Sequence, residues 1–333
     1  VLDKVTHSIE SNQEEKMNEL TLVLDIGGTK ILGAIVDEHS KIIMTEKIPS
    51  KAGKGKAEVI TQINELIKTL LKESESRFTD VKIRAIGLGC PGVIEEGTVL
   101  FSPNLPLKNY PLKDTLSETF KVPVFLGNDA TVSMLGEWKF GAAAGLTDVI
   151  GIFVGTGIGG GLVLGGKIYE GAYGAGSEIG HMIIDPEGPF CGCGAKGCLE
   201  SVSSKTGMMK EIKKQLRRGR NSYLKKFFEK DSGILKSGML KEALEEKDEL
   251  TMEIIDQACR YLGVATASLI NLLNPEMVVF GGGIISSLGE YMLPLIKRSA
   301  NKYAIIKNFE EAVIVGTALE DHACLMGAYA LTL

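Results

Sequence analysis

One arrangement of residues occurs twice in this chain, and nothing else in it restricts the fold as much. From Thr21 the residues run TLVLDIGGTKILGAIVDEHSKIIMTEKI: a β-rich run (Leu22 to Ile26), a Gly-Gly-Thr turn, an apolar run (Ile31 to Val36), a polar turn and a third run from Lys41. Between Asp148 and Gly171, DVIGIFVGTGIGGGLVLGGKIYEG repeats the plan, with a Gly/Thr first turn and a tight Gly165-Gly166 second turn. Each stretch reads as a three-stranded meander. One meander used twice predicts an α/β protein with two similar lobes that face each other, each presenting a hairpin tip to a shared cleft.

Two glycine-rich tips in one cleft suit a phosphate chain. Glycine lets the backbone come close enough for its N–H groups to point at phosphate oxygens, and Thr hydroxyls add donors. The candidates are Gly27, Gly28, Thr29 and Lys30 in the first tip, and Gly155, Thr156, Gly157, Gly159 and Gly160 in the second. The second tip also matches the G-x-G-x-x-G dinucleotide fingerprint in form, but that motif must open a helix. Here the glycines lead into GLVLGGKIYEG, a β-branched and turn-punctuated run. No G-x-x-x-x-G-K-[ST] loop occurs. A third cluster, Gly281-Gly282-Gly283, ends the apolar run MVVF after a helical stretch (IIDQACRYLGVATASLINLLN). Such an edge at a strand's carboxyl end is where open α/β sheets bind nucleotides, so it is the candidate adenosine contact; a plain strand-to-helix turn is the alternative.

Residues 87–106, GLGCPGVIEEGTVLFSPNLP, read as loop-rich and carry Asn104; Asn128-Asp129 then follow an apolar strand (Val122 to Leu126). Asp129 opens a helix over Ala130 to Phe140, where an N-cap is one role. A carboxylate at a strand's end beside a phosphate cleft can also accept the proton of an attacking hydroxyl, which is about all phosphoryl transfer asks beyond positioning and Mg²⁺. Farther on, Cys191-x-Cys193-x₄-Cys198, with His181 ten residues upstream, supplies three thiolates and an imidazole. That is the donor set of a closed, structural, tetrahedral zinc site, with no open position for Lewis-acid chemistry. Glu178 and Glu200 bracket the knot, and rigid carboxylates beside an imidazole suit the vicinal hydroxyls of a sugar. Cys90, Cys259 and Cys324 are scattered and read as small core fillers.

The net charge of −5 comes with no basic block, which argues against nucleic acid as a partner. No apolar run approaches the roughly 20 residues of a membrane span. The opening VLDKVTHSIESNQEEKMNEL lacks a signal-peptide core, so a cytoplasmic location with reduced cysteines is expected. Residues 1–20 read as a polar tail, with Met17 a candidate natural start.

DIGGTK, GNDA, GTGIGGG, E-x-G-H and CGCGAKGCLE, in that order, resemble the ROK family of repressors, open-reading-frame proteins and sugar kinases, from about Thr21 to the carboxyl end. The resemblance implies an actin/hexokinase-like, ribonuclease H-like fold of two lobes closing on a hexose and ATP. It implies a small lobe of residues 21–127 completed by 318–333, through a final helix near Thr317 to Leu333, and a large lobe of 128–317. Asp129 would be the base; Asn104, Asn128, Glu178, His181 and Glu200 would contact the sugar. His181, Cys191, Cys193 and Cys198 would hold zinc, and Asp25 would organise Mg²⁺. The expected activity is transfer of the ATP γ-phosphoryl group to the 6-hydroxyl of glucose. Kinases for N-acetylmannosamine, N-acetylglucosamine or fructose are alternatives within the family, and dimers or tetramers are its usual assemblies. A sugar-responsive transcriptional regulator is the alternative of another class; residues 1–20 show no helix-turn-helix pattern. SPNLPLKNYPL departs from the family by lacking the tryptophan that many bacterial glucokinases carry there, next to the sugar.

Overall fold

The computed structural model describes residues 18–230, 237–305 and 313–333. The polar tail therefore lies outside the described residues up to position 17, and strand β1 (Asn18–Ile26) begins four residues before the Leu22 run. Next in the chain are β2 (Lys30–Val36), β3 (Ile42–Pro49), α1 (Lys56–Arg77) and β4 (Val81–Cys90). Then come β5 (Val93–Glu95), β6 (Thr98–Phe101), β7 (Lys108–Tyr110), α2 (Leu112–Phe120), β8 (Val124–Asn128) and α3 (Asp129–Phe140). The second half holds β9 (Val149–Val154), β10 (Ile158–Leu164), β11 (Lys167–Ile168), α4 (Leu199–Ser203), α5 (Lys205–Arg217), α6 (Lys225–Lys230) and α7 (Ser237–Glu245). It ends with α8 (Glu249–Leu273), β12 (Met277–Gly281), α9 (Gly283–Tyr303), β13 (Ile314–Gly316) and α10 (Ala323–Ala330).

The expected duplication is present and extends beyond the meanders. One sheet has the order β3-β2-β1-β4-β8 and the other β11-β10-β9-β12-β13. In both, the meander strands pair antiparallel and two further strands are added parallel to the first. Parallel strands are buried on both faces, so their sequences read as continuous apolar runs. In β1 the period of two then sorts the side chains. Leu22, Leu24 and Ile26 join the core under α1, whose Val59, Ile63, Leu66, Ile67 and Leu70 form one helical stripe. Val23 lies on the opposite face, in the cluster with Val132 of α3 and Cys324, Leu325 and Ala328 of α10. Asp25, two residues on, shares that face.

Helix α3 sits between the sheets: Val132 packs with α10, while Met134 packs with Val149, Val163 and Val279 of the second sheet. Gly136 and Gly327 let α3 and α10 cross closely, because a Cβ on either would strike the other helix's backbone. Three expected boundaries shift. Residues 87–106 are not mostly loop, since β4 runs to Cys90 and a small β5-β6-β7 sheet comes after it. Its turn at Glu96-Gly97 has positive φ at both residues (49° and 84°), and strands this short leave little periodicity to read. The final helix begins at Ala323 rather than near Thr317, after a single 3₁₀ turn over Glu320–His322. Strand β8 runs Val124–Asn128, two residues later than the apolar run.

Candidate active site

Strand β8 delivers Asn128 and Asp129 to the cleft. The cap of α3 is Asn128, whose Oδ1 accepts from Ala130 N (3.0 Å) and Thr131 N (3.1 Å) while its Nδ2 donates to Gly92 O (3.0 Å). Asp129 is thereby freed from capping and stands as the first helical residue, its Oδ1 accepting from Ala130 N (2.9 Å). Burial, then the Asp25 carboxylate and, more weakly, Glu178, push the Asp129 pKa up to about 7. Asp25 is also raised, by burial first; the Cys324 thiol, donating to it, and Lys30 oppose that rise. Cys90 and Cys324 are buried in the apolar clusters, as expected, and burial first and then both aspartates raise their thiols.

The first glycine tip is a tight turn with Gly27 N bonded to Lys30 O (2.9 Å). Ser50, fully buried, holds it through its hydroxyl on Gly28 O (2.7 Å) and its amide on Thr29 O (3.1 Å). Nothing in the sequence around Ser50 signals this role. Asn104 lies against the same turn; a Cβ on Gly28 would come within 2.9 Å of its Cβ and carbonyl oxygen. The second tip leads into strand β10, which excludes the dinucleotide reading. It is held from three sides. Gly155 O accepts from Lys205 N (3.0 Å), Thr156 O accepts from the Thr206 hydroxyl (2.7 Å), and Glu200 Oε2 accepts from Ile158 N (2.9 Å). Gly157 leaves room for the Glu200 carboxylate, which a Cβ there would displace. Gly159 packs against Ala130, where a Cβ would come within 2.6 Å of the Ala130 Cβ, and Gly160 against Ile179. Lys205 is a further residue the sequence did not signal. It is half-buried at the start of α5, and burial and the nearby Lys30 lower its pKa, so two ammonium groups converge between the tips.

His181, Cys191, Cys193 and Cys198 bring their ligand atoms within 4.8 Å of one another. Cys191 Sγ lies 3.7 Å from His181 Nδ1, and Cys193 Sγ lies 3.7 Å from Cys198 Sγ. Tetrahedral zinc with Zn–S near 2.3 Å and Zn–N near 2.0–2.1 Å requires edges of about 3.5–3.8 Å; these two edges match it, and three thiols with an imidazole are the donors that ion takes. The other imidazole nitrogen, Nε2, lies 3.9 Å from Glu178 Oε2 on the cleft side. Glu200 joins the knot to the second tip, since its Oε1 lies 3.4 Å from Cys191 Sγ while Oε2 holds Ile158 N. Gly281 ends β12, Gly282 caps α9 with φ 85°, and Gly283 opens the helix onto empty space. Beside this edge is a cavity of about 630 Å³ whose walls include Ile285, Leu288, Leu244 and Thr317.

Twin sheets of one order, closing on a carboxylate pair between glycine tips, define a two-lobed actin/hexokinase-like protein. The ROK family model matches residues 21–333. A glucokinase of Halalkalibacterium halodurans is 36% identical over 285 residues, covering 85% of each chain. The xylose repressor of Caldicellulosiruptor bescii is 32% identical over 93% of this chain and 77% of the repressor. The crystal structure of a ROK family glucokinase from Streptomyces griseus, in complex with glucose and AMPPNP, superposes with a TM-score of 0.81 at 31% identity, covering 94% of this chain and 98% of that one. The chain belongs to the ROK family. Among the described residues, no helix is long and apolar enough to cross a membrane.

Proposed function

We propose that this protein is an ATP-dependent hexose kinase that transfers the γ-phosphoryl group to the 6-hydroxyl of glucose. The observation that carries this reading is Asp129: a carboxylate freed from capping, facing Asp25 and Glu178 between two glycine tips, with a pKa of about 7. A general base works best when its pKa lies near the operating pH. Asp129 accepts the 6-hydroxyl proton as that oxygen attacks the γ-phosphorus, and the bond from phosphorus to the ADP oxygen breaks. Asn104, Glu178, His181 Nε2 and Glu200 hold the remaining hydroxyls. The Asn128 side chain is occupied by the cap and by Gly92, so it orients Asp129 and meets the sugar at its edge. The amides of Gly27 to Lys30 and Gly155 to Gly160 cradle the phosphates, Lys30 and Lys205 offset their charge, and the cavity beside Gly281 to Gly283 takes the adenosine.

Asp25, an acid in an acidic pocket, is suited to hold Mg²⁺, which would neutralise charge on the β- and γ-phosphates. The Cys₃His set would hold zinc as a fixed strut: it aims His181 Nε2 and, through Glu200, braces the second tip. Glucose is favoured by the glucokinases among the relatives and by the glucose complex of the Streptomyces griseus protein. The test is a coupled assay with ATP and Mg²⁺ on glucose, N-acetylmannosamine, N-acetylglucosamine and fructose. Comparing kcat/KM decides among the sugars, and no turnover on any of them refutes the reading. Sequence-specific operator binding in a gel shift would favour a regulator instead.

A further inference from the structure

Glu137 is a fully buried carboxylate, two turns along α3 from Asp129, and the proposed phosphoryl transfer makes no use of it. Its hydrogen-bonding capacity is nonetheless filled. Oε2 accepts from Ala142 N (2.8 Å) and Ala318 N (3.2 Å), and Oε1 accepts from Leu319 N (2.9 Å) and the Thr317 hydroxyl. All four donors lie on the two links between the sheets. Ala142 is in the link from α3 to β9, and Thr317 to Leu319 are in the link from β13 to α10. Thr317 also reaches the second lobe's centre, its amide donating to Phe280 O at the end of β12 (2.8 Å), and it lines the cavity beside Gly281 to Gly283. One carboxylate therefore touches both crossings of the chain, the cavity wall and the helix that starts with Asp129.

A buried carboxylate is costly unless its lone pairs are filled, and removing one partner leaves an unpaired polar group in the interior. An apolar plug would fill the same space without fixing how the links sit relative to each other; four directed bonds fix that register. We propose that Glu137 is the pin of the hinge between the lobes, a positioning residue that locks the Thr317 wall of the cavity to α3. A nucleotide entering the cavity thereby shifts the helix that presents Asp129. The proposal rests on the ATP site of the kinase reading, and not on transfer of the phosphoryl group to a sugar.

The molecule carries its own reporter. Trp138, the single tryptophan, is the residue after Glu137, and its indole N–H donates to Leu146 O (2.7 Å) within the first link. The experiment titrates the intact protein with a non-hydrolysable ATP analogue, reading Trp138 emission and, separately, heat of binding. Turnover is measured alongside. The wild type is expected to change emission as the analogue binds. Glu137→Gln keeps the shape but turns one acceptor into a donor facing N–H groups. It is expected to bind the analogue with at least a twofold smaller emission change, about a tenfold lower kcat, and a sugar KM within twofold of wild type. Thr317→Val removes only the hydroxyl and should lie between; it decides the matter if Glu137→Gln does not fold. Lower melting temperature with kcat and emission response intact would make Glu137 an ordinary packing residue and overturn the proposal. So would an analogue that binds the wild type without moving Trp138. If the analogue binds and the response is lost in Glu137→Gln, yet no sugar is phosphorylated, the kinase reading falls and the hinge stands. An analogue that does not bind at all removes both.

Discussion

Replacing Asp129 by Asn should make this protein a far poorer catalyst and, at neutral pH, a more stable fold. Asn keeps an Oδ1 that can accept from Ala130 N, as Asp129 does at 2.9 Å, so the start of α3 stays intact. It loses the base, and general-base catalysis contributes roughly 10²–10⁴-fold, so kcat should fall by that much. The stability gain comes from the raised pKa. Burial and Asp25 move Asp129 from 3.8 to about 7, so the folded state prefers the protonated acid. The wild type is therefore penalised as pH rises from about 4, and the penalty is complete above about 7. Each unit of displacement is worth about 1.4 kcal/mol, which sets an upper bound of about 4 kcal/mol, reduced by whatever cleft water screens. A kcal/mol moves a domain of 150–250 residues by roughly 2–4 °C. Thermal melts of wild type and Asp129→Asn at pH 5 and pH 8 should thus show the variant gaining most at pH 8. The wild-type kcat should rise with pH through an acid limb near 7, the base being active only when deprotonated. Near-normal turnover in the variant, or a melting shift equal at both pH values, would refute the assignment.

Gly157→Ala would place a methyl on the Glu200 carboxylate and displace its bond to Ile158 N, a charged hydrogen bond of about 1.5–3 kcal/mol; kcat/KM for ATP should drop tenfold or more, and an unchanged value would release Glu200 from bracing the second tip. Ser50→Ala removes the hydroxyl bond to Gly28 O, worth about 1 kcal/mol, so kcat/KM for ATP should fall about fivefold while KM for the sugar stays put. Cys193→Ser should lower bound zinc, measured by metal analysis, and raise the sugar KM by loosening His181 and Glu200; fully active zinc-free wild type would end that role.

Much of this site could be read along the chain because the chemistry is local in sequence. A glycine tip between two strands is a hairpin wherever it occurs, so DIGGTK and GTGIGGG announced both turns and, by repetition, both lobes. The three cysteines were equally legible, since their short spacing keeps the sulfurs close, while the bridge between Ile183 and Cys198 brings His181 to them. Local chemistry left two roles open for Asp129, cap or base; the adjacent Asn128 takes the cap and leaves the carboxylate free. What no window of sequence contains is the partner supplied from elsewhere. Ser50 reaches Gly28 across β2 and β3, Lys205 arrives beside Lys30 from the other lobe, and Cys324 comes back from the carboxyl end to donate to Asp25. Glu137 looks like one acid on an ordinary helix until the links from 142 and 317–319 close around it. Periodicity, turn chemistry and cysteine spacing act over a few residues, and they determined the strands, the tips and the cysteine cluster. Burial, pKa and register depend on which distant surfaces meet, and only the packing of α3 and α10 between two sheets decided those.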